Sequence, residues 1–215
     1  MSCPRRRISW WTLRTLLPTY DVTTPGGLLQ ATFVGFASIF AGLAAATLTA
    51  GWASDETSGR LEMLLTTPLA RARWAVASGV GVYLTIATMT AVLAVAIGIG
   101  VAMAGGDVVT PVVGTLALGL YAMALAGIGL AVGTLVSTSI AGPVVAVIAI
   151  ATFLLDFLVP ALELPEGLRR LALSADFGQP MVGAWEWTGV VVSIVVIAGG
   201  LAVSGWGMTR RDVRR

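Results

Sequence analysis

The residues that usually carry chemistry are few in this chain. It contains no lysine and no histidine, all 13 of its cations are arginine, and Cys3 is its only cysteine. Without lysine there is no P-loop, and without histidine there is neither a His-based zinc site nor a Ser–His triad. A single cysteine also excludes an internal disulfide and a Cys-rich metal site. We therefore predict no catalytic residue, no metal site and no cofactor in this chain.

One carboxylate stands out because it interrupts an apolar stretch. Asp156 lies within residues 153–158, where its neighbours are Phe and Leu. A carboxyl group at membrane depth is costly, so it is a functional hypothesis by default. It could bind a cationic substrate or relay protons. Alternatively, Asp156 lies near the outer interface beside Pro160, where water, Arg169 or Arg170 satisfies it. The sequence leaves both interpretations open.

The composition places these residues in a membrane protein. Of 215 residues, 57% are hydrophobic and only 11% are charged, and the mean hydropathy is +0.91. A soluble domain carries about a quarter charged residues. One core of this size cannot hide so much apolar surface, so part of it has to face lipid.

Five stretches are long enough to span a bilayer, which takes roughly 20 apolar residues in a helix. None has the period-2 alternation of a membrane β-strand. We predict an all-α polytopic membrane helix bundle, with a transmembrane domain over 28–215 and an N-terminal tail or interfacial segment over 1–27. The predicted spans are 28–52, 74–104, 108–136, 140–161 and 187–208.

Tryptophans and arginines predict how the spans sit in the membrane. Five of the tryptophans lie at predicted span ends, as an aromatic belt at the headgroups would require. They are Trp52, Trp74, Trp185, Trp187 and Trp206. The 53–73 loop and the C-terminus are both rich in arginine, which predicts a multi-pass cell-membrane protein with both on the cytoplasmic side. The Asp107 turn and the 162–184 segment are then outside. Arg5, Arg6 and Arg7 conflict with this orientation, which points to a truncation or to a missing upstream span.

Small residues recur at the spacing that lets membrane helices approach closely. The pairs are Gly129 with Gly133, Ala37 with Ala41, and Gly200 with Ser204. They predict that the spans pack against one another as a bundle. Tyr121 and Met123 of the third span could line a substrate path, although packing or lipid contact is the simpler interpretation.

The loop between the first two spans carries the functional signal. Gly59 favours a break after the first span, and Leu61, Leu64 and Leu65 fall on one helical face. Pro68 then ends the segment, since the residue before a proline disfavours the helical region. The pattern predicts a short amphipathic helix at the cytoplasmic membrane surface. A plain interfacial connector is the alternative.

This loop resembles the signature of ABC-2 type permeases. From Gly59 it follows the pattern G-x-L-E-x-L-L-x-x-P-x-x-R, and a glutamate precedes it. The matching residues are Glu56, Gly59, Leu61, Glu62, Leu64, Leu65, Pro68 and Arg71. Residues 209–213 are also similar to the family's ending after its last helix. The Gly- and Ala-rich spans look most like those of actinobacterial antibiotic or polyketide exporter permeases.

The resemblance implies a mechanism and partners. Such permeases commonly have six helices per half, so the five spans would be the second to sixth, and the chain resembles the C-terminal part of a longer permease. The loop would be a coupling helix that docks on a separate ABC ATPase subunit, which binds the ATP and magnesium. Leu61, Leu64 and Leu65 would be its apolar anchors. The polar contacts at the rim would come from Glu56, Arg60, Glu62 and Arg71.

The implied function is export of a hydrophobic or drug-like substrate, without bond chemistry in this chain. A second permease half, or a homodimer, and membrane lipid would be the other partners, and no nucleic acid is expected. An ion-coupled secondary transporter would need more charged residues within the membrane than one aspartate. That alternative and a non-transporting membrane scaffold both stay open.

Overall fold

Five long α-helices make up most of the described chain. The computed structural model describes residues 35–57, 71–162, 177–179 and 184–211. All five helices are long and apolar enough to cross a membrane, which confirms the predicted all-α bundle. They are α1 (Gly35–Thr57), α2 (Arg71–Met103), α3 (Val109–Leu135), α4 (Ala141–Ala161) and α5 (Trp187–Arg211).

Helix ends differ by a few residues from the predicted spans. Helix α1 continues to Thr57 and α5 continues to Arg211, both beyond the predicted ends at 52 and 208. The added residues are mostly polar or charged. A hydropathy pattern marks where the apolar run stops, whereas a helix continues as long as its backbone hydrogen bonds do. The first predicted residues, 28–34, lie outside the described ranges.

The α2–α3 connection is a tight turn. Gly105 has a φ of +70°, a conformation that other residues rarely adopt. Asp107 then accepts hydrogen bonds from the Thr110 hydroxyl and from the backbone N–H of Val109, at 3.2 Å. The Thr110 hydroxyl, followed by the Val109 N–H, holds the pKa of Asp107 below its ordinary value. This carboxylate therefore stabilises the start of α3.

Helix α3 is the centre of the bundle. It packs against each of the other four helices, and 61% of its most apolar 18-residue stretch is buried, against 17% for that of α2. Ala124, Leu125, Ala126 and Leu130 have no exposed surface. Small residues on α3 make this possible, because they let four neighbours approach one helix.

The helices form two packing groups. Helices α2, α3 and α5 pack closely together, and α1 packs closely along α4. The groups meet mainly where α1 and α4 lie along α3, while α1 and α2 contact each other sparingly. The loop over 58–70, which joins α1 to α2, therefore connects one group to the other.

Glycines at the helix crossings confirm the predicted close packing. A Cβ atom on Gly200 of α5 would lie 2.5 Å from the backbone oxygen of Gly127 on α3. One on Gly129 would lie 2.6 Å from side-chain atoms of Thr49 and Val145, and one on Gly133 would lie 2.8 Å from Trp52. Gly129 and Gly133 thus admit α1 and α4 against α3, as their spacing predicted.

A short antiparallel pairing precedes α5. Strands β1 (Gly178–Gln179) and β2 (Ala184–Trp185) pair Gly178 with Trp185 and Gln179 with Ala184. Next to them the side chain of Phe177 is buried against the core of the bundle. The sequence predicted an amphipathic or re-entrant element over 162–184, and most of that segment lies outside the described residues. The paired strands were not predicted, since two-residue strands leave no readable alternation.

Candidate functional site

Two of the coupling residues predicted from the sequence lie at the helix ends that the 58–70 loop joins. Glu56 is in the last turn of α1, and Arg71 is the first residue of α2. The structure thus places both ends of the loop. The remaining coupling residues, and with them the amphipathic helix, stay a prediction, because they fall outside the described ranges. These are Gly59, Arg60, Leu61, Glu62, Leu64, Leu65 and Pro68.

A tryptophan joint connects α1 to α2 next to this loop. The Nε1–H of Trp52 on α1 donates a hydrogen bond to the Ser78 hydroxyl on α2, at 2.8 Å. Its ring also stacks on Trp74, with centroids 6.4 Å apart and planes 19° apart. We call these three residues the Trp52 joint. It ties together two helices that otherwise contact each other sparingly.

The aromatic-belt interpretation of Trp52 is wrong. Its side chain is only 4% exposed and packs inside the bundle, whereas Trp187, 74% exposed at the start of α5, has the exposure that a headgroup tryptophan needs. Sequence reasoning missed Ser78. Its spacing of four from Trp74 puts both on one face of α2, and that was the available signal.

A cavity of about 350 Å³ opens between α1, α2 and α3. Its walls are almost entirely hydrocarbon. The two hydroxyls, on Thr90 and Thr115, donate to carbonyl oxygens of their own helices, at 2.8 Å each. This cavity can accept an apolar group but offers no charge to recognise. The lining residues are Ala37, Phe40, Ala41, Ala44, Leu48, Ile86, Met89, Thr90, Leu93, Thr115, Leu118, Gly119 and Ala122.

Ala37 and Ala41 border the cavity. Their spacing predicted a helix–helix contact, and Ala41 does pack against the core of the bundle, but both also line the cavity. Small residues on one helix permit close approach only where the opposite helix is present at the same level. Here α2 diverges from α1, so the alanines border open space.

A smaller hollow of about 210 Å³ lies beside the C-terminal end of α1. Its lining includes hydroxyl groups from Ser54 on α1 and from Thr138 and Ser139, which form a short 3-10 turn before α4. Its walls are more polar than those of the large cavity. It borders the residues that precede the 58–70 loop.

Asp156 lies on α4 next to hydroxyl groups of the bundle interior. Thr152, one helical turn earlier, is 4% exposed, and its side chain hydrogen-bonds the hydroxyl of Tyr121 on α3. Asp156 is half-buried and close enough to act electrostatically on Tyr121. Tyr121 therefore faces α4 and does not line the cavity, and Met123 packs against the core. Arg169 and Arg170, the suggested partners of Asp156, lie outside the described residues.

The described residues do not support a metal site. Among those residues, no three Asp, Glu or Cys side chains cluster as a metal ion would need. The site consists instead of the Trp52 joint, an apolar cavity and a single carboxylate with hydroxyl neighbours.

The sequence matches a known family over most of its length. The family is described as "Multidrug efflux system permease Rv1217c, C-terminal domain", and the match covers residues 22–210. It takes in all five helices except the last residue of α5. No curated protein and no solved structure matches the chain.

Proposed function

The chain belongs to the C-terminal domain family of the multidrug efflux system permease Rv1217c, an ABC-2 type permease, and from this membership we propose that it is the membrane-spanning part of an ATP-driven exporter. The resemblance to ABC-2 permeases, and to the C-terminal part of one, is confirmed by this membership. The chain is a multi-pass membrane protein with a transport permease role. A separate ABC ATPase subunit would bind and hydrolyse the ATP, and a second permease half would complete the transporter.

The place of the 58–70 loop carries this proposal. The loop joins α1 to α2, which belong to different packing groups. A force on the loop would act on both groups at once and shift them along their shared boundary. The cavity between α1, α2 and α3 lies on that boundary, so such a shift would change its shape. This is how ATP-driven closure at a remote site can act on a substrate cavity.

Charge at the inner end supports a cytoplasmic loop. In the ranges that the structure describes, every basic residue is Arg71, Arg73, Arg210 or Arg211. Helix α5 returns to the level where α2 begins, since Gly205 packs near Val76. All four arginines are therefore at one end of the bundle, and arginine-rich ends face the cytoplasm.

The cavity supports an apolar or drug-like substrate. Its walls offer hydrocarbon surface and no free polar group among the residues described. Such walls favour ligands by burial of apolar area. Membership in an efflux permease family argues against the non-transporting scaffold.

Co-purification with the ATPase subunit tests the coupling role. We expect Leu64→Asp with Leu65→Asp to abolish recovery of a co-expressed ATPase partner, because the change puts charge on the predicted apolar anchors. Membrane insertion should be unchanged. The control is Leu171→Asp with Leu173→Asp, the same chemistry in the segment predicted to be outside. Equal ATPase recovery with the Leu64/Leu65 variant and with wild type would contradict the coupling role.

A further inference from the structure

A track of polar groups runs from the middle of the bundle towards its outer end. Tyr121 is 2% exposed and lies about 18 Å along α3 from Val109, near mid-membrane. It pairs with Thr152 of α4 at that level. Asp156 follows one turn further along α4, about 8 Å before the helix ends at Ala161. Thr152 and Asp156 share one face of α4, because they are four residues apart.

Two phenylalanines flank this track. Phe153 lies three residues before Asp156, which makes the two side chains neighbours on α4. Its ring meets that of Phe36 on α1, with centroids 6.2 Å apart and planes at 47°. Phe36 is 57% exposed, so an aromatic face is available beside the carboxylate. A carboxylate and an aromatic face attract an organic cation in different ways, one by its charge and one by its quadrupole.

The described charges differ between the two ends of the bundle. Within the described ranges, Asp107, Asp156 and Glu186 lie towards the outer end, while all four arginines, together with Asp55 and Glu56, lie at the inner end. Asp156 is half-buried, and a charge in a low-dielectric surrounding is weakly screened, so this carboxylate can attract a cation. The apolar cavity cannot select for charge, whereas this end of the bundle can.

We propose that Asp156, with Thr152, Tyr121 and the Phe36–Phe153 pair, forms a recognition site for lipophilic organic cations. This inference rests on the proposed export function and names the substrate class. Asp156 supplies the charge, and the two rings contact the apolar body of the cation. The Tyr121–Thr152 hydrogen bond is a positioning contact, because it holds α3 against α4 at the level of the site.

A pair of ions of the same shape and opposite charge tests this site. We would measure equilibrium binding of tetraphenylphosphonium and of tetraphenylborate to the purified full chain in lipid nanodiscs. Asp156→Asn should weaken tetraphenylphosphonium binding by at least about tenfold, since it removes one partner of a desolvated charge pair. It should not weaken tetraphenylborate binding. Asp156→Glu should retain tetraphenylphosphonium binding, because it keeps the carboxylate. The matched control is Asp107→Asn, which removes an exposed carboxylate from the outer end and should leave the binding of both ions unchanged.

A measurement on the unaltered protein covers the case in which Asp156→Asn does not fold. A hydrophobic carbodiimide labels membrane-embedded carboxyl groups, and mass spectrometry locates the label. Tetraphenylphosphonium should protect Asp156 from labelling, and tetraphenylborate should not. Three results would each overturn the site. One is that the wild-type chain binds no tetraphenylphosphonium, and another is that saturating tetraphenylphosphonium leaves Asp156 unprotected. The third is an equal loss of tetraphenylphosphonium and tetraphenylborate binding in Asp156→Asn. ATPase co-purification needs no substrate, so its result separates this failure from failure of the export function.

Discussion

The two flanks of α3 are built from similar residues but pack differently. On the flank that faces α5, Gly127 and Gly200 bring the two backbones into direct contact. On the flank that faces α1 and α2, Leu118 and Ala122 border a cavity of about 350 Å³, while Gly119 between them packs closely on the side chain of Thr90 on α2. Direct backbone contact therefore needs small residues on both helices at the same level, and α5 meets α3 in that way. The closed flank is suited to a fixed unit and the open flank to movement.

The open flank is held together at the end next to the 58–70 loop. Helix α1 and helix α2 diverge along the cavity, and the Trp52 joint connects them beside the 58–70 loop. A movement of that loop would reach the cavity through this joint. Three substitutions test the closed flank, the joint and the α2–α3 turn, from the largest expected effect to the smallest.

Gly200→Ala should have the largest effect. The new Cβ would lie 2.5 Å from a backbone oxygen, which cannot move aside as a flexible side chain can. We expect the free energy of unfolding to fall by about 1–3 kcal/mol, the usual cost of overpacking. Thermal unfolding of the purified protein in detergent would measure this loss.

The neighbouring glycine provides the matched control for Gly200. Nothing lies within 4 Å of a Cβ built on Gly199. Gly199→Ala should therefore keep or raise the melting temperature, because alanine is favoured over glycine in a helix by about 1 kcal/mol. Equal melting temperatures for the two variants would show that the α3–α5 contact is not as close as described.

Ser78→Ala should have a smaller effect, at the joint on the open flank. It removes the acceptor of the Trp52 N–H, which is buried, and an unmade hydrogen bond costs about 1 kcal/mol or more. The control is Thr85→Ala on the same helix, where an exposed hydroxyl bonds only its own helix carbonyl. If Ser78→Ala and Thr85→Ala have the same melting temperature, the hydrogen bond of the Trp52 joint contributes nothing to stability.

The Trp52 joint also separates what the sequence could predict from what it could not. Hydropathy predicted the five helices, because each span is a continuous apolar run, and the spacing of Gly129 and Gly133 predicted close packing. Trp52 was assigned to the headgroups, because tryptophan at a span end is typical of that zone. Burial of its ring depends on where α2 lies, and a partner on another helix leaves no mark in the local pattern.

The two parts of the candidate site differ in how much the sequence says about them. The residues of the 58–70 loop form a local motif, so the sequence alone predicts a coupling role, and that role stays a prediction. Asp156 stood out as one charge in an apolar run. Its neighbour Tyr121 is 35 positions away on another helix, and only the packing of α3 on α4 brings the two together. The cavity was likewise unpredictable, since it results from the divergence of α1 and α2.

Asp107→Asn should have the smallest effect, and one that depends on pH. Hydrogen bonds from Thr110 and Val109 lower the pKa of Asp107 in the folded protein. A group with a lowered folded pKa stabilises the protein above its unfolded pKa of about 4, and this contribution disappears as the pH falls through the folded value. Wild type should therefore melt slightly above Asp107→Asn at pH 6, and this difference should shrink towards pH 3. All other carboxyl groups titrate in both proteins, so the difference between the two melting curves isolates Asp107. A difference that stays constant from pH 6 to pH 3 would mean that the carboxylate charge does not stabilise the start of α3, and that the turn is held by the shape of the side chain alone.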